Sequence, residues 1–503
     1  ALPLATVLLL AALSAYLFSS GFLLSRVTVP TTASIDQQRP PWVPAPAPAP
    51  APSSADSSSN TDSRSSATAA PTVHEPKRIV MVVIDALRYD FAFPPPPSSD
   101  EFNPAFHGRL PVLEDIAGPG GAGLAVRLQA DPPTTTMQRL KALMSGGLPA
   151  FIEIGSNFDA QALDEDSLPL QMLGGGKRVA FMGDDTWGGL FPGLLGAEPA
   201  LFDSFNVKDL DTVDAGIEAR LFPLLEQPAD GDAYDAIIAH FLGVDHAGHT
   251  YGPNHPRMSD KLDQMNTDIA RVVAALADDD LLVILGDHGM TSDGGHGGAT
   301  LLETGSVLVA YSPARAYSCL STALPAGTVV DAYQIDMVPA LATLLGLPIP
   351  FSSMGVAFEP LLCALPLSRL ETARFANAAQ ISGYLHAYGA TPRGAAVAAK
   401  LSPLLAELDA ALASSGEGRS HVLPPLLRSL SDAARDHFTT FDLVAMASGL
   451  VCGVLALCWL IAIAAVVRAP QASCSPTALT IHASIAAAAV FYVVYRMPQG
   501  MVG

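Results

Sequence analysis

The sequence predicts an α/β domain built on a parallel sheet and joined to transmembrane α-helices. Three observations lead there. Short apolar runs recur through residues 78–360 without every-other-residue alternation, which suits strands covered on both faces. A segment between two of them repeats apolar residues at spacings of three and four, as a one-faced helix does. Long, nearly uncharged stretches stand towards both ends of the 503-residue chain, of a length that spans a bilayer.

The elements follow in order. Residues 3–24 are almost uncharged and show no small-residue cleavage site, so residues 1–25 read as an uncleaved N-terminal transmembrane anchor rather than a signal peptide. The first residue is Ala1, and a trimmed N-terminus is expected. Residues 26–77 read as a Pro/Ser-rich linker, because the Pro-Ala repeat from Pro44 is extended and the Ser-rich stretch after it is too polar to pack. Residues 78–362 read as one domain with strands at RIVMVVI (78–84), RVAFM (178–182), DAIIAHF (235–241), LLVILG (281–286) and SVLVAY (306–311). Leu262, Met265, Ile269, Val272 and Leu276 mark the one-faced helix. Strands alternating with helices imply a parallel sheet.

Residues 363–439, rich in Ala and Leu, read as a helical connector with no part in a site. Residues 440–503 read as a transmembrane hairpin, with spans at 441–467 and 477–495. His482 in the second span reads as a bundle-facing polar residue before a proton relay. Because the chain ends just after this hairpin, further membrane sequence is expected.

Lys plus Arg number 27 and Asp plus Glu 48, for a net charge of −21. That balance excludes a broad nucleic-acid surface. An acidic protein still handles phosphate esters when metal ions stand between its carboxylates and the substrate. Five cysteines exclude a disulfide scaffold.

Three of the apolar runs lead into an acidic residue: Asp85, Asp245 and Asp287. In parallel α/β sheets the ligand crevice lies outside the carboxyl ends of the strands. Carboxylates delivered to one edge repel each other unless a cation holds them. Histidines stand at the same places: His249 four residues after Asp245, His288 directly after Asp287, and His296 in the glycine-rich GMTSDGGHGG loop. Mixed Asp/His donors suit Zn²⁺, and two metals about 4 Å apart suit displacement at phosphorus. Taken singly, each Asp is a turn or cap residue and each His a satisfied one; only their convergence argues for metal. His246 and His255 read as surface or supporting residues.

Pro132 and Pro133 end an extended segment, and the spacing of Leu140, Leu143 and Met144 starts a helix. Thr134, Thr135 and Thr136 therefore stand at a helix N-terminus, where free N–H groups stabilise an anion. One of these hydroxyls is a nucleophile candidate, and a plain N-cap explains the segment equally well. Asp184, Asp185 and Trp187 after another strand either line the substrate side or form a turn with a buried Trp.

These motifs, VVIDALRYD, DPPTTTMQRLKAL, MGDDTW, AHFLGVDHAGHTYGPNH and ILGDHGM with GGHGG, resemble the alkaline phosphatase superfamily and, within it, the GPI ethanolamine phosphate transferases of the endoplasmic reticulum. PPTTTMQRLKAL, MGDDTWGGLFP, SGFLLSR and LGLPIPFSSMG resemble the members that modify the third mannose. The likeness runs from the first span through about residue 360. It implies an alkaline-phosphatase-like parallel-sheet sandwich in the lumen. It implies two Zn²⁺, one held by Asp245, His249 and His296, the other by Asp85, Asp287, His288 and the nucleophilic hydroxyl. In related phosphodiesterases the nucleophile is the second Thr of a P-T-x-T pattern, which points to Thr136, although Thr135 leaves the register open. The sulfatase segment C/S-x-P-x-R is absent.

The resemblance further implies a phosphatidylethanolamine donor, a GPI mannolipid acceptor whose 6-hydroxyl is modified, a covalent phospho-Thr intermediate, and a small multispanning membrane subunit as partner. Arg468 in the short loop between the C-terminal spans places that loop in the cytosol and residues 26–440 in the lumen. Two alternatives remain: a membrane-anchored phosphodiesterase that passes the group to water, and a non-catalytic scaffold that keeps zinc for structure. The open, cysteine-free donor sets argue against the second.

Overall fold

The computed structural model describes residues 2–22, 28–43, 75–148, 162–226, 234–313, 315–323, 329–391, 394–414, 419–438 and 443–468. They fall into two compact units, one of Ala1–Arg26, Ala150–Glu153 and Asp436–Gly503, the other of Val27–Pro149 and Ile154–Arg435.

The larger unit is built on an eight-stranded sheet. In chain order the strands are β1 (Arg78–Ile84), β2 (Leu124–Gln129), β3 (Val179–Asp184), β4 (Ala200–Phe202), β5 (Ala236–Phe241), β6 (Asp280–Gly286), β7 (Gly305–Tyr311) and β8 (Asp331–Tyr333). Their lateral order is β4-β3-β5-β1-β6-β7-β2-β8. Parallel pairing joins β4, β3, β5, β1 and β6, and also β2 with β8. β7 runs antiparallel to both of its neighbours, so the sheet is mixed rather than wholly parallel. The cause lies in the β6–β7 connection. A parallel pair needs a long crossover back to the opposite edge. The chain from Asp287 to Thr304 contains only one short helix, Leu301–Thr304, and returns from the edge where β6 ended.

Both faces of the sheet are covered. Ile79, Met81 and Val83 of β1 join one hydrophobic cluster, and Val80, Val82 and Ile84 join the other. The helices Thr136–Ser145 and Met337–Leu344 contribute to the first, Thr212–Glu226 and Pro256–Ala275 to the second. The last of these contains four residues of the expected apolar face, Leu262, Met265, Ile269 and Val272, all buried, while the fifth, Leu276, stands at its C-cap and is half-buried. A disulfide joins Cys319 to Cys363.

Residues 363–439 form the helices Leu367–Gly389, Gly394–Ala413 and Arg419–Phe438. They are stitched to the sheet domain. Asn377 Nδ2 donates to Gly355 O at 3.0 Å and Gln380 Nε2 to Ser353 O at 2.8 Å. Arg428 Nη2 pairs with the buried Asp336 at 2.8 Å. Arg435 Nε donates to Asp131 Oδ1 at 3.0 Å, five residues before Thr136. The connector thus reaches the segment that presents the threonines.

Residues 28–43, within the stretch read as linker, pack against the same unit. Ala33 N donates to Asp166 Oδ2 at 2.8 Å, and Gln38 exchanges hydrogen bonds with the Ile349 backbone at 2.7 and 2.8 Å. The Pro-Ala and Ser-rich part, 44–74, lies outside the described residues.

In the smaller unit, the helix Leu2–Phe22 packs along the helix Leu443–Arg468. Ser14 Oγ donates to Gly449 O at 2.7 Å. Small residues at such contacts let helix backbones approach closely. Among the described residues, Val444–Ala464 is long and apolar enough to cross a membrane, whereas Leu4–Ser19 is a shorter apolar stretch. The expected span at 477–495, with His482, lies outside the described residues.

Candidate metal centre

Strand register brings the carboxylates together. β5, β1 and β6 are adjacent, and Ile84 stands level with both Phe241 and Gly286. Asp85 and Asp287 therefore leave neighbouring strands at the same height. Asp245 follows in the helix Gly243–Tyr251, which also carries His249 one turn on. His296 arrives from the β6–β7 connection. Gly294 lets that loop approach: its φ is +85°, and a Cβ there would collide with the Gly248 carbonyl.

Two groups of three donors result: Asp245, His249 and His296, and Asp85, Asp287 and His288. In the first, Asp245 Oδ1 lies 3.5 Å from His249 Nε2 and 3.4 Å from His296 Nε2. In the second, His288 Nε2 lies 3.3 Å from Asp85 Oδ1 and 3.4 Å from Asp287 Oδ2. The groups adjoin, because the rings of His288 and His296 stack with centroids 4.0 Å apart.

The surroundings fix each donor. Asp287 Oδ1 accepts the N–H groups of Ala86 at 3.1 Å and His288 at 2.9 Å, which leaves Oδ2 for the group. His288 Nδ1 faces Gly289 O and His296 Nδ1 faces Thr134 O, both at 2.9 Å. A carbonyl only accepts, so each Nδ1 carries the proton and each Nε2 offers a lone pair. Asp85 Oδ1, Asp245 Oδ1 and Asp287 Oδ2 are buried with no hydrogen-bond partner.

The electrostatics agree with an acceptor of cations. Burial, then Asp287, Asp245 and Asp184, push the Asp85 carboxyl well above the usual range. Burial pushes Asp287 up to about 7. Burial, then His296, drives His288 well below the ordinary histidine value. Left to themselves these groups go neutral. A dication reverses the preference, since it favours carboxylate and unprotonated imidazole alike. Orphaned oxygens, lone-pair nitrogens and an N/O donor set fit a divalent cation such as zinc.

The three threonines separate by geometry. Thr134 Oγ donates to Gly298 O at 2.8 Å and accepts Gly297 N–H at 3.0 Å, so it anchors the His296 loop. Thr135 is the N-cap residue of the helix Thr136–Ser145, and its hydroxyl meets Gln138. Only the Thr136 hydroxyl reaches the donor groups, 3.4 Å from Asp85 Oδ2 and 3.3 Å from His288 Nε2.

Asp184 is buried and accepts Thr186 N–H at 2.7 Å, and Asp185 accepts the Ser204 hydroxyl at 2.7 Å. Trp187 is fully buried among Phe181 and Phe191, on the core side of the alternatives its sequence left open. His246 is buried between the carbonyls of Asp209 and Ser204 at 2.8 and 3.0 Å. His255 caps the helix Pro256–Ala275 by accepting Arg257 N–H at 3.1 Å. One neighbour escaped sequence reading. His240, inside β5, points Nε2 at Asp85 Oδ2 from 3.5 Å. Its only signal was a lone histidine interrupting an apolar run.

Residues 175–299 match the family model "Type I phosphodiesterase / nucleotide pyrophosphatase". The chain is 43% identical over 396 residues to human "GPI ethanolamine phosphate transferase 3, catalytic subunit", covering 74% of this chain and 35% of that protein. It is 43% identical over 289 residues to the fission yeast (Schizosaccharomyces pombe) "GPI ethanolamine phosphate transferase 3", covering 57% and 30%. Human "GPI ethanolamine phosphate transferase 2, catalytic subunit" is 35% identical over 315 residues, covering 61% and 30%. The chain spans about a third of the length of these relatives. Among solved structures, murine ectonucleotide pyrophosphatase/phosphodiesterase 5 matches with TM-score 0.39 and 13% identity, covering 54% of this chain and 96% of that one. A sulfatase-like protein from Bacteroides thetaiotaomicron matches with TM-score 0.40 and 13% identity, covering 58% and 75%. The chain is thus 40–43% identical to relatives that share the name GPI ethanolamine phosphate transferase 3, and its matched phosphodiesterase segment fits the alkaline phosphatase superfamily.

Proposed function

We propose that this chain transfers ethanolamine phosphate from phosphatidylethanolamine to the 6-hydroxyl of a GPI mannose, the third on its likeness to the transferase 3 enzymes. The observation that carries the reading is Thr136. Its hydroxyl stands at the N-terminus of a ten-residue helix and beside Asp85 and His288. The second donor group adjoins it through the stacked rings.

Asp245, His249 and His296 would hold one zinc, and Asp85, Asp287 and His288 with the Thr136 oxygen the other. Two bound zinc ions would stabilise charge on phosphoryl oxygens and lower the cost of deprotonating a hydroxyl. The chain's own residues supply the rest. Thr136 Oγ attacks phosphorus, its P–O bond forms as the bond to diacylglycerol breaks, and diacylglycerol leaves with a proton. The free N–H groups of the helix N-terminus face the charge that develops. Ethanolamine phosphate now sits on Thr136. The mannose hydroxyl then attacks the same phosphorus from the face that diacylglycerol left, and Thr136 regains its proton. Two in-line displacements retain configuration at phosphorus.

We place this reaction at the endoplasmic reticulum membrane with the sheet domain in the lumen. The membrane-length helix and the disulfide support that placement, because disulfides persist in oxidising compartments. The human relative is named a catalytic subunit, which supports a further subunit, and we propose that this partner is a small multispanning membrane protein.

The test uses the purified chain with its membrane partner, phosphatidylethanolamine and a GPI mannolipid. Thr136→Ala should abolish transfer, and peptide mass spectrometry of the native chain given donor alone should find ethanolamine phosphate on Thr136. Chelation should abolish transfer and zinc restore it. Undiminished transfer by Thr136→Ala would overturn the covalent route. Free ethanolamine phosphate with unmodified mannolipid would make the protein a phosphodiesterase instead.

A further inference from the structure

We infer that His240 is a positioning residue for Asp85, locked in one tautomer by Trp187. The inference rests on the reading of Asp85 as a metal ligand made above. His240 has no exposed surface. Its Nδ1 lies 2.9 Å from the indole Nε1 of Trp187. An indole N–H only donates, so Nδ1 carries the lone pair and the ring proton sits on Nε2. That buried donor makes no hydrogen bond, and the acceptor in front of it is Asp85 Oδ2 at 3.5 Å. A shift of about 0.5 Å closes the distance to an ordinary hydrogen bond.

The two oxygens of Asp85 thereby divide their tasks. Oδ1 faces His288 at 3.3 Å and belongs to the donor group. Oδ2 faces His240 and also the Thr136 hydroxyl at 3.4 Å. Donation onto Oδ2 stops the carboxylate from rotating and keeps Oδ1 aimed at the cation. A neutral imidazole does this without adding a positive charge that would compete with the metal. Partners of this kind, one bond removed from the metal, set ligand orientation.

The fold is arranged around this pair. β3 and β5 run side by side with Gly183 level with His240. A Cβ at Gly183 would stand 2.7 Å from His240 O and 2.8 Å from its Cβ. Trp187 is itself held between Phe181 and Phe191, with ring centroids 4.9 and 5.6 Å away. A histidine filling core space alone would not need an unmated donor aimed at a ligand.

The experiment measures zinc stoichiometry and affinity of the purified full chain by chelator competition, with melting temperature alongside. The native chain should take up two equivalents. His240→Phe should weaken one equivalent by about 10–100-fold and leave the other within about twofold. Trp187→Phe should weaken the same equivalent by a smaller factor. His240→Gln, whose amide N–H can still donate to Asp85, should recover most of the loss. Native affinity at both equivalents in His240→Phe, or in Trp187→Phe should the His240→Phe variant fail to fold, would overturn the inference. Equal weakening of both equivalents with a lowered melting temperature and no rescue by Gln would mark His240 as a packing residue and overturn it too. No zinc in the native chain would overturn the proposed function itself, and the inference with it.

Discussion

Arg435 and Asp131 form a buried ion pair across 304 residues of chain, with Arg435 Nε donating to Asp131 Oδ1 at 3.0 Å. Both side chains are largely out of solvent. Asp131 begins the DPPTTT segment, so a connector helix braces the backbone that presents Thr136. Removing one partner of such a pair strands a buried charge, at about 3–5 kcal/mol. Arg435→Ala should lower the melting temperature and transfer activity together. The double variant Arg435→Leu/Asp131→Leu should regain most stability and not the activity. A melting temperature for Arg435→Ala within error of the native chain would show that the pair carries no weight.

Thr134 should act on the other donor group. Its hydroxyl bonds both Gly297 N–H and Gly298 O, and its own carbonyl accepts His296 Nδ1–H. Thr134→Val keeps the volume and removes both hydroxyl bonds, at about 0.5–1.5 kcal/mol each, because water can reach the half-buried Gly297 and the exposed Gly298. The His296 loop should loosen. Zinc competition should then report weaker binding at the equivalent held by Asp245, His249 and His296, and little change at the other. Unchanged affinity would show that Gly297 and Gly298 hold the loop by other means.

The contrast between Thr134 and His240 shows where sequence reading works. β1, β5 and β6 are covered on both faces, so their runs are apolar almost throughout, with His240 the interruption in β5, and the Asp residues after them stand out. The helix from Pro256 was legible because one face is buried and the rest is polar. β2 was legible only as an extended segment ending at Pro132, because its burial alternates and Arg127 and Gln129 break the apolar run that marks the other strands. β4 and β8 have three residues each, too few for any pattern. The direction of β7 depends on how its connection returns, which composition does not record. The choice among three adjacent threonines needed atoms, since all share one helix start. His240 and Trp187 stand 53 residues apart, and neither spacing nor charge links them.

Asp268 should make stability fall with rising pH. Its carboxyl is pushed up to about 7, first by burial and then by Glu218 and Asp214, while Lys261 and Arg271 oppose the shift. A raised carboxyl means the native state holds the proton more tightly than the unfolded chain. The stabilisation is complete below the unfolded value near pH 4 and is lost as pH rises through about 7. Asp268→Asn removes that slope. It should be more stable than the native chain above pH 7, by about 1–2 kcal/mol once solvent screening is allowed for. Melting temperatures at pH 5 and pH 8 test this, with the gain expected only at pH 8. An equal effect at both would show that the carboxyl does not titrate in this range.

Cys319 and Cys363 should be protected from alkylation while Cys452 and Cys458 are free to react once denatured. The bond closes a loop of 44 residues, for which chain entropy gives about 4 kcal/mol of stabilisation. It also ties the 3₁₀ turn Arg315–Thr322 to the residue after Leu362, where the sheet domain meets the connector helices. Cys319→Ser/Cys363→Ser should therefore lower the melting temperature markedly and leave zinc stoichiometry at its native value, because neither cysteine belongs to a donor group. Mass spectrometry after maleimide labelling, with and without reductant, counts the protected thiols. Protection should appear when the sheet domain is translocated into an oxidising lumen and vanish when the same chain is made in a reducing cytosol. Full labelling of both cysteines in material taken from the endoplasmic reticulum would contradict the bond and remove its support for a lumenal domain.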